Sequence, residues 1–346
     1  MGVTIKDVAK RTGLSITTVS LVLNKKESRI PEKTRQIIED VAHELNYVPN
    51  QAAVSLSTKK TNLIALVIPR KSLYFFANLI SSVESSCRNA GYGLNISMPD
   101  GDEESCMEAI REALRRGTDG VIFDTSFFRD DFSKTYTELV KKSDSPICLL
   151  SRIGKHIFPN SIIPDHRQGG FTAASHLIES GHSKIGLISG PEDSNLVSDL
   201  QKGIGSAFEG KGQSDKNKPE LYKVSGEDTA AFGYDGLKNL LGKTSKITGI
   251  IAGSVNIAAG VLRRAREMDL SIPEQLSVLA YGDPLPGTDY PITLSTVSVH
   301  YDRIARKAVN LMKKLDNGAG DFEGELVPPS LVSRGSVTKC STVKKR

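Results

Sequence analysis

Two short apolar-faced segments meet at Gly13, and that junction constrains the start of this 346-residue chain more than any other feature. Ile5, Val8 and Ala9 recur at the spacing of one helical face. Thr4 stands before them as a helix cap, with Asp7 at the reciprocal capping position. Gly13 permits a sharp turn and Leu14 packs beneath it. Ser15 then caps a second segment, Ile16 to Asn24, with Val19, Val22 and Leu23 facing inward. A third helix is predicted from Pro31 to Asn46, with Ile37, Ile38, Val41, Ala42 and Leu45 as its buried stripe, ended by Tyr47-Val48-Pro49. Two short helices joined through a glycine turn form the unit that lays its second helix in the DNA major groove. The sequence therefore predicts an all-α helix-turn-helix DNA-binding domain over residues 1–48.

Charge distribution agrees. The first sixty residues hold 10 Lys and Arg against 6 Asp and Glu, a surplus of four in a chain of net charge +5. Residues 61–338 hold 31 basic against 34 acidic residues. A basic head on a mildly acidic body implies polyanion binding by the head and a different task for the body. Residues 339–346 form a basic tail, read as a solvated terminus. Between head and body, residues 49–61 read as a hinge helix and linker. Asn50 to Ser57 is helix-compatible but too short to be stable alone in water, and Lys59-Lys60-Thr61 is a polar joint.

Cys87, Cys106, Cys148 and Cys340 lie far apart with no metal-type spacing, so they read as reduced packing residues rather than a zinc site or disulfide framework. No cofactor or metal is expected. Met1 to Lys10 is charged and immediately helical, unlike a signal peptide, and no apolar run approaches the length of a membrane span. The expectation is a cytoplasmic protein with no membrane partner.

From Leu63 short apolar runs read as buried parallel strands at Ile64–Ile68, Gly93–Ser97, Val121–Phe123 and Ile147–Leu150, with helices at Phe76–Asn89, Glu103–Arg115 and Lys134–Lys142. A second series follows, with strands at Ile185–Ser189, Leu221–Val224, Ile250–Ala252 and Val278–Tyr281. Its helices are His166–Glu179, Leu200–Phe208, Ala230–Leu241 and Ile257–Met268. Two alternating blocks of this kind predict an α/β body of two doubly wound subdomains.

Several stretches resemble the lactose-repressor (LacI) family of bacterial transcription regulators. They are Thr4-Ile5-Lys6-Asp7-Val8-Ala9, Thr18-Val19-Ser20, Leu23-Asn24, Thr34-Arg35 and Leu45 through Asn50. Further landmarks are Gly91-Tyr92, Asp119-Gly120, His176-Leu177, Gly181-His182, Ile272-Pro273 and Arg334-Gly335-Ser336. The resemblance implies a homodimer on a palindromic double-stranded DNA operator, a hinge that folds against the minor groove, and a periplasmic-binding-protein-like body holding a small-molecule effector. It places that effector-binding and dimerisation body at 62–338. The first subdomain is expected at about 62–161 plus a crossover segment near 284–300, the second at about 162–283 plus 301–338.

Carried over by position, Ile16, Thr17 and Leu21 are the base-reading residues, and Ala53 and Leu56 the hinge residues, with Leu56 wedged into the minor groove. Family members often have Arg where this chain has Leu21. Arg takes guanine bidentately, whereas Leu offers only apolar contact such as with a thymine methyl. Leu21 otherwise belongs to the three-helix core. Lys6, Lys10, Arg11, Lys25, Arg29 and Arg35 are candidate phosphate contacts.

The body departs from the family pattern. Leu200 stands where many sugar- and nucleoside-sensing relatives have Arg, Ser254-Val255 where they have Asn-Asp, and Gly282 where they have Asp. Three polar anchors for a sugar are thus absent, and ordinary sugars are expected to bind poorly. The effector pocket is expected from Tyr74, Phe75, Phe76, Asp124, Arg152, Asp193, Leu200, Ser254, Tyr281 and Asp283, beyond the carboxyl ends of the strands. Phe75 and Phe76 either stack on a ligand or start a helix in the core. Asp165 is either near the pocket or simply a helix cap.

The function expected is a sequence-specific transcriptional regulator, a repressor whose DNA affinity a small molecule modulates. The alternatives are a regulator with a vestigial or protein-responsive pocket, and a solute-binding protein. An enzyme is disfavoured, since no GxGxxG follows the first strand and no GxxxxGK[ST], GxSxG or HExxH occurs. Leu56→Ala should weaken specific operator binding while leaving non-specific binding nearly unchanged, because the wedge acts only where the minor groove is pried open. Parallel titrations on specific and random duplexes check this; equal losses on both would mean that Leu56 only supports folding.

Overall fold

A computed structural model describes residues 3–24, 29–48, 55, 60–70, 73–209, 219–284 and 293–340, with the backbone alone for 73–76. The chain divides into two compact units, Met1–Thr61 and Asn62–Arg346.

In the first unit α1 is Ile5–Thr12, α2 is Ile16–Leu23 and α3 is Glu32–Glu44. The Asp7 carboxylate accepts from the Thr4 N–H at 2.8 Å and the Thr4 hydroxyl at 2.7 Å, and these bonds hold its pKa below the usual carboxylate range. Gly13 ends α1 at φ +70°, a left-handed conformation that only glycine adopts without steric cost. Two residues later the Ser15 Oγ accepts from the Thr18 N–H at 3.0 Å to start α2. Val8, Ala9, Val19, Val22, Ile38 and Ala42 meet as the buried core. Pro31 sits outside α3 as its N-cap, and Asn46 turns left-handed at φ +49° beyond its end. Ile37, expected in the buried stripe, is 45% exposed. The stripe that packs is Ile38, Val41, Ala42 and Leu45, and Ile37 lies one residue, roughly 100° of rotation, off it.

The second unit holds a parallel sheet ordered β2-β1-β3-β4, with β1 Leu63–Val67, β2 Gly93–Ser97, β3 Gly120–Phe123 and β4 Ile147–Leu149. Its helices are α4 Leu73–Ala90, α5 Glu103–Arg115 and α6 Phe132–Lys142. A short strand β5, Ile162–Pro164, leads to α7, His166–Glu179. Then come β6 Lys184–Ser189, α8 Asn195–Glu209, β7 Glu220–Ser225, α9 Ala230–Lys243, β8 Gly249–Ala252, α10 Val255–Glu267, β9 Ser277–Tyr281 and β10 Ser295–Ser298. The chain ends with α11 Tyr301–Asp316, β11 Glu325–Val327 and β12 Ser330–Val332. The second sheet runs β12-β10-β9-β8-β6-β7, antiparallel only at β12, and β11 pairs with β5.

The expected allegiance of the last third is corrected. Residues 284–300 were expected with the first subdomain, yet β10 lies in the second sheet, with Thr296 opposite Ala280. Residues 301–338 were expected with the second; β12 pairs there with β10, but α11 packs on the first. The cause is coverage: one face of the β2-β1-β3-β4 sheet has only α4 over Ile64, Leu66 and Ile122, and Ile304, Ala305, Ala308, Val309 and Met312 of α11 complete it. Gly120 lets Met312 close in; a Cβ there would stand 2.9 Å from its sulfur.

Helices α7 and α8 cross backbone to backbone. A Cβ on Gly170 would lie 2.0 Å from the Leu200 carbonyl oxygen, and one on Gly203 would lie 1.8 Å from that of Arg167. At the head of α7 the buried His166 imidazole hydrogen-bonds the Tyr281 hydroxyl at 2.6 Å. Burial drives the His166 pKa down to about 4, with Asp199 opposing and Arg152 reinforcing the shift. The unfolded chain therefore binds a proton below about pH 6.5 that the folded chain refuses until about pH 4. This contribution to stability is whole above pH 6.5 and fades as pH falls across that window, by up to about 3 kcal/mol. Urea unfolding of wild type and His166→Gln at pH 7 and pH 4.5 checks it. The wild type should lose more stability than the variant; parallel losses would mean that His166 protonates freely.

Candidate nucleic-acid interface and effector cleft

On α2, Val19 and Val22 are fully buried, while Ile16 is 46% exposed, Thr17 is exposed and Leu21 is half-buried outside the packed core. At roughly 100° per residue, Ile16, Thr17, Ser20 and Leu21 cover the arc opposite the two valines. Ser20 was not singled out from sequence; it lies on this arc, and the Asn24 carboxamide donates to its hydroxyl at 3.1 Å and its carbonyl at 2.9 Å. Lys6, Lys10 and Arg11 are exposed along α1, and Arg29 is exposed before α3. Arg35 is half-buried, 3.7 Å from the Glu32 carboxylate. Lys25, Ala53 and Leu56 lie outside the described residues. No described residue of α2 is charged, so this arc offers methyl groups and hydroxyls, while the exposed cations of this unit lie on other elements, Lys6, Lys10 and Arg11 on α1 among them.

In the body, the carboxyl ends of β8 and β9 and the start of α11 wall a cleft. Leu196, Ser254, Val255, Asn256, Tyr281, Asp283 and Tyr301 line it, leaving about 20 Å³, room for one water molecule. Most expected pocket residues are already engaged with the protein. Ser254 caps α10 by accepting from the Ile257 N–H at 3.1 Å, and its hydroxyl donates to the buried Asp228. Burial raises the Asp228 pKa, with Ser254 and Asn256 opposing. The Tyr281 hydroxyl is held by His166. One Asp283 oxygen accepts from the N–H groups of Val299 and His300, 3.2 and 3.1 Å away, at the point where the chain crosses into α11. Asp124 is buried and accepts from the Ser126 hydroxyl at 2.6 Å. Arg152 grips Asp199 through two bonds of 2.5 and 2.8 Å. The side chains of Tyr74, Phe75 and Phe76, in the first turn of α4, lie outside the described residues. Asp165 caps α7, accepting from the Gln168 N–H at 2.8 Å.

One pocket expectation is corrected. Leu200 is fully buried in the apolar core, because the close α7–α8 crossing turns this face of α8 onto the sheet. Asp193 is exposed on the loop between the carboxyl end of β6 and α8, and that helix starts at Asn195 rather than at Leu200. The cleft is electronegative: burial first, then Asp283, Asp228 and Asp124, push the Tyr301 pKa up, so its phenol stays protonated as a donor. Asp199 and His166 were not foreseen, since each acts through a partner distant in sequence. Cys87, Cys106 and Cys148 are buried, and burial pushes each thiol up to about 12, consistent with packing residues. Among the described residues no His, Cys, Asp and Glu cluster fits a metal ion, and no helix is long and apolar enough to cross a membrane.

Residues 4–50 match the model of bacterial regulatory proteins of the lacI family, and residues 174–337 that of the periplasmic binding protein-like domain. The chain is 30% identical over 336 residues to the HTH-type transcriptional repressor PurR of Klebsiella pneumoniae (strain 342), covering 96% of each chain. The chain belongs to the lacI family. It is 28% identical over 339 residues to PurR of Actinobacillus pleuropneumoniae serotype 3, covering 96% of this chain and 98% of that one. Among solved structures it is similar to the lac repressor dimer bound to operator and the anti-inducer ONPF, with a TM-score of 0.81, 26% identity, and coverage of 98% of this chain and all of that one. This lacI-family chain is thus a helix-turn-helix transcriptional regulator with a periplasmic-binding-protein-like body.

Leu21→Arg should shift operator preference toward guanine at one position per half-site, because Arg pairs with the O6 and N7 acceptors in a contact worth about 1–3 kcal/mol of discrimination. Site selection from a random duplex library, run on both proteins, measures it. Unchanged preferred bases would place Leu21 against the core.

Proposed function

We propose that the chain is a repressor that binds a palindromic operator as a homodimer, with its affinity set by a small molecule in the cleft of its body. The observation that carries this reading is the exposed arc of α2, where Ile16, Thr17 and Leu21 stand opposite the buried valines, in a unit whose α1 exposes Lys6, Lys10 and Arg11. Apolar groups and hydroxyls read base edges; the cations position the helix on the phosphates. Residues 1–48 form the reading domain, 49–61 the hinge that carries Ala53 and Leu56, and 62–338 the effector-binding and dimerising body. The PurR relatives are repressors, and the lac repressor neighbour is a dimer bound to operator and an anti-inducer. A regulator of this kind works in the cytoplasm. The relatives are regulators rather than enzymes, and the cleft groups Ser254, Tyr281 and Asp283 serve as caps and packing partners, which supports a non-catalytic role.

Titration of the full chain against a selected palindromic duplex at several salt concentrations tests the proposal. Two protomers should bind per site, and affinity should fall on the order of a thousandfold or more between about 50 and about 200 mM salt, because neutralised phosphates release counterions. One protomer per site, or affinity independent of salt, would overturn it.

A further inference from the structure

The first turn of α8 belongs to the second sheet, yet its polar groups reach the first. The Asn195 N–H donates to the Ser126 carbonyl at 2.8 Å. Its carboxamide donates to the carbonyls of Phe128 and Arg152, each at 3.0 Å. One turn on, Asp199 receives the Arg152 guanidinium end-on, Nε to Oδ2 at 2.5 Å and Nη2 to Oδ1 at 2.8 Å. Ser126 and Phe128 follow β3 and Arg152 follows β4, so every one of these bonds crosses between the two subdomains. The Arg152 side chain is 14% exposed and that of Asp199 21%. Away from α8, the Asn78 carboxamide of α4 donates to the Asp283 carbonyl beyond β9 at 2.7 Å.

Polar groups that face each other across a cleft either wait for a ligand or bond to one another. Here a planar guanidinium fork from one subdomain already meets a carboxylate from the other in the geometry that gives the strongest side-chain pairing. The orphan N–H at the start of α8 is likewise satisfied by a carbonyl from across the cleft.

Resting on the effector reading proposed above, we infer that Arg152, Asp199 and Asn195 form a built-in clasp that holds the two subdomains of the body closed without any ligand. The closed arrangement is then the resting state, and an effector acts by displacing the clasp rather than by completing the cleft. A ligand shifts the equilibrium only by its preference for one arrangement, so the clasp sets how strong that preference must be.

The test uses the full chain, ligand-free, with spin labels on Met98→Cys and Glu227→Cys, exposed positions beyond the outer strands β2 and β7, in a Cys340→Ser background. Pulsed dipolar spectroscopy should give one narrow distance distribution. Asp199→Ala and Arg152→Ala should each shift it to longer distances and broaden it, while Glu192→Gln, at a neighbouring exposed acid, should leave it unchanged. The exchanged pair Arg152→Asp with Asp199→Arg should restore the short distance, which a general loss of folding would not. A narrow short distance in both single variants, or a wild type that is already open without ligand, would overturn the inference. Operator titration of the same proteins is read separately, so a failure of DNA binding would count against the proposed function and leave the distances standing.

Discussion

Asn195 begins α8 with its backbone N–H and its carboxamide both committed to carbonyls of the other subdomain, and Asp199 continues the same edge one turn later. The rest of the body depends on how this helix is placed. Its opposite face must approach α7 at backbone distance, which only Gly170 and Gly203 allow, and that approach buries Leu200 and Ile204 in the core. With α8 so fixed, Leu196 turns to the cleft and the Arg152 guanidinium has one carboxylate within reach. Glycine packing on one side of a single helix and an ion pair on the other are therefore one arrangement. The pair acts chiefly by fixing geometry: with both charges partly desolvated, an arrangement that separates them leaves each without its partner.

The cleft follows from the same economy of partners. Buried polar groups need hydrogen bonds, and here the chain supplies them itself: Ser254 to α10 and Asp228, His166 to Tyr281, Asp283 to the backbone at Val299 and His300. His300 at φ +57° marks the crossing into α11, and Asp283 steadies the N–H groups at that strained step. A ligand entering such a cleft must replace most of these bonds, although the second carboxylate oxygen of the buried Asp228 is left without a hydrogen bond.

The head was legible because its determinants are local. The Thr4–Asp7 box, the left-handed Gly13 and the Ser15 cap each act within four residues, and all three are present as expected. The strands of the body were legible as apolar runs. Four features were not: β5, β10, β11 and β12 are only three or four residues long, with Ser and Thr filling most of β10. The allegiance of α11 depends on which sheet lacks a cover, a property of the assembled body rather than of its own amphipathic pattern. Asp199 looks like any polar residue of a half-buried helix until Arg152, 47 residues earlier, is placed beside it. Leu200 was expected at the pocket from its sequence position; its burial at the glycine crossing of α7 and α8 is visible only in three dimensions.

We propose that the uncharged α2 reads DNA through methyl groups while the cations of the same unit supply affinity. The sharpest check replaces thymine by uracil, one position at a time, in a selected operator, because only the C5 methyl is removed. Burying one methyl is worth about 0.8 kcal/mol, so methyl readout should cost roughly fourfold per half-site at one or two thymines. The N7 of guanine, removed in the same way with 7-deazaguanine, should matter little at the positions facing Ile16 and Leu21. Indifference to every thymine methyl, together with strong dependence on guanine N7 at those positions, would contradict it.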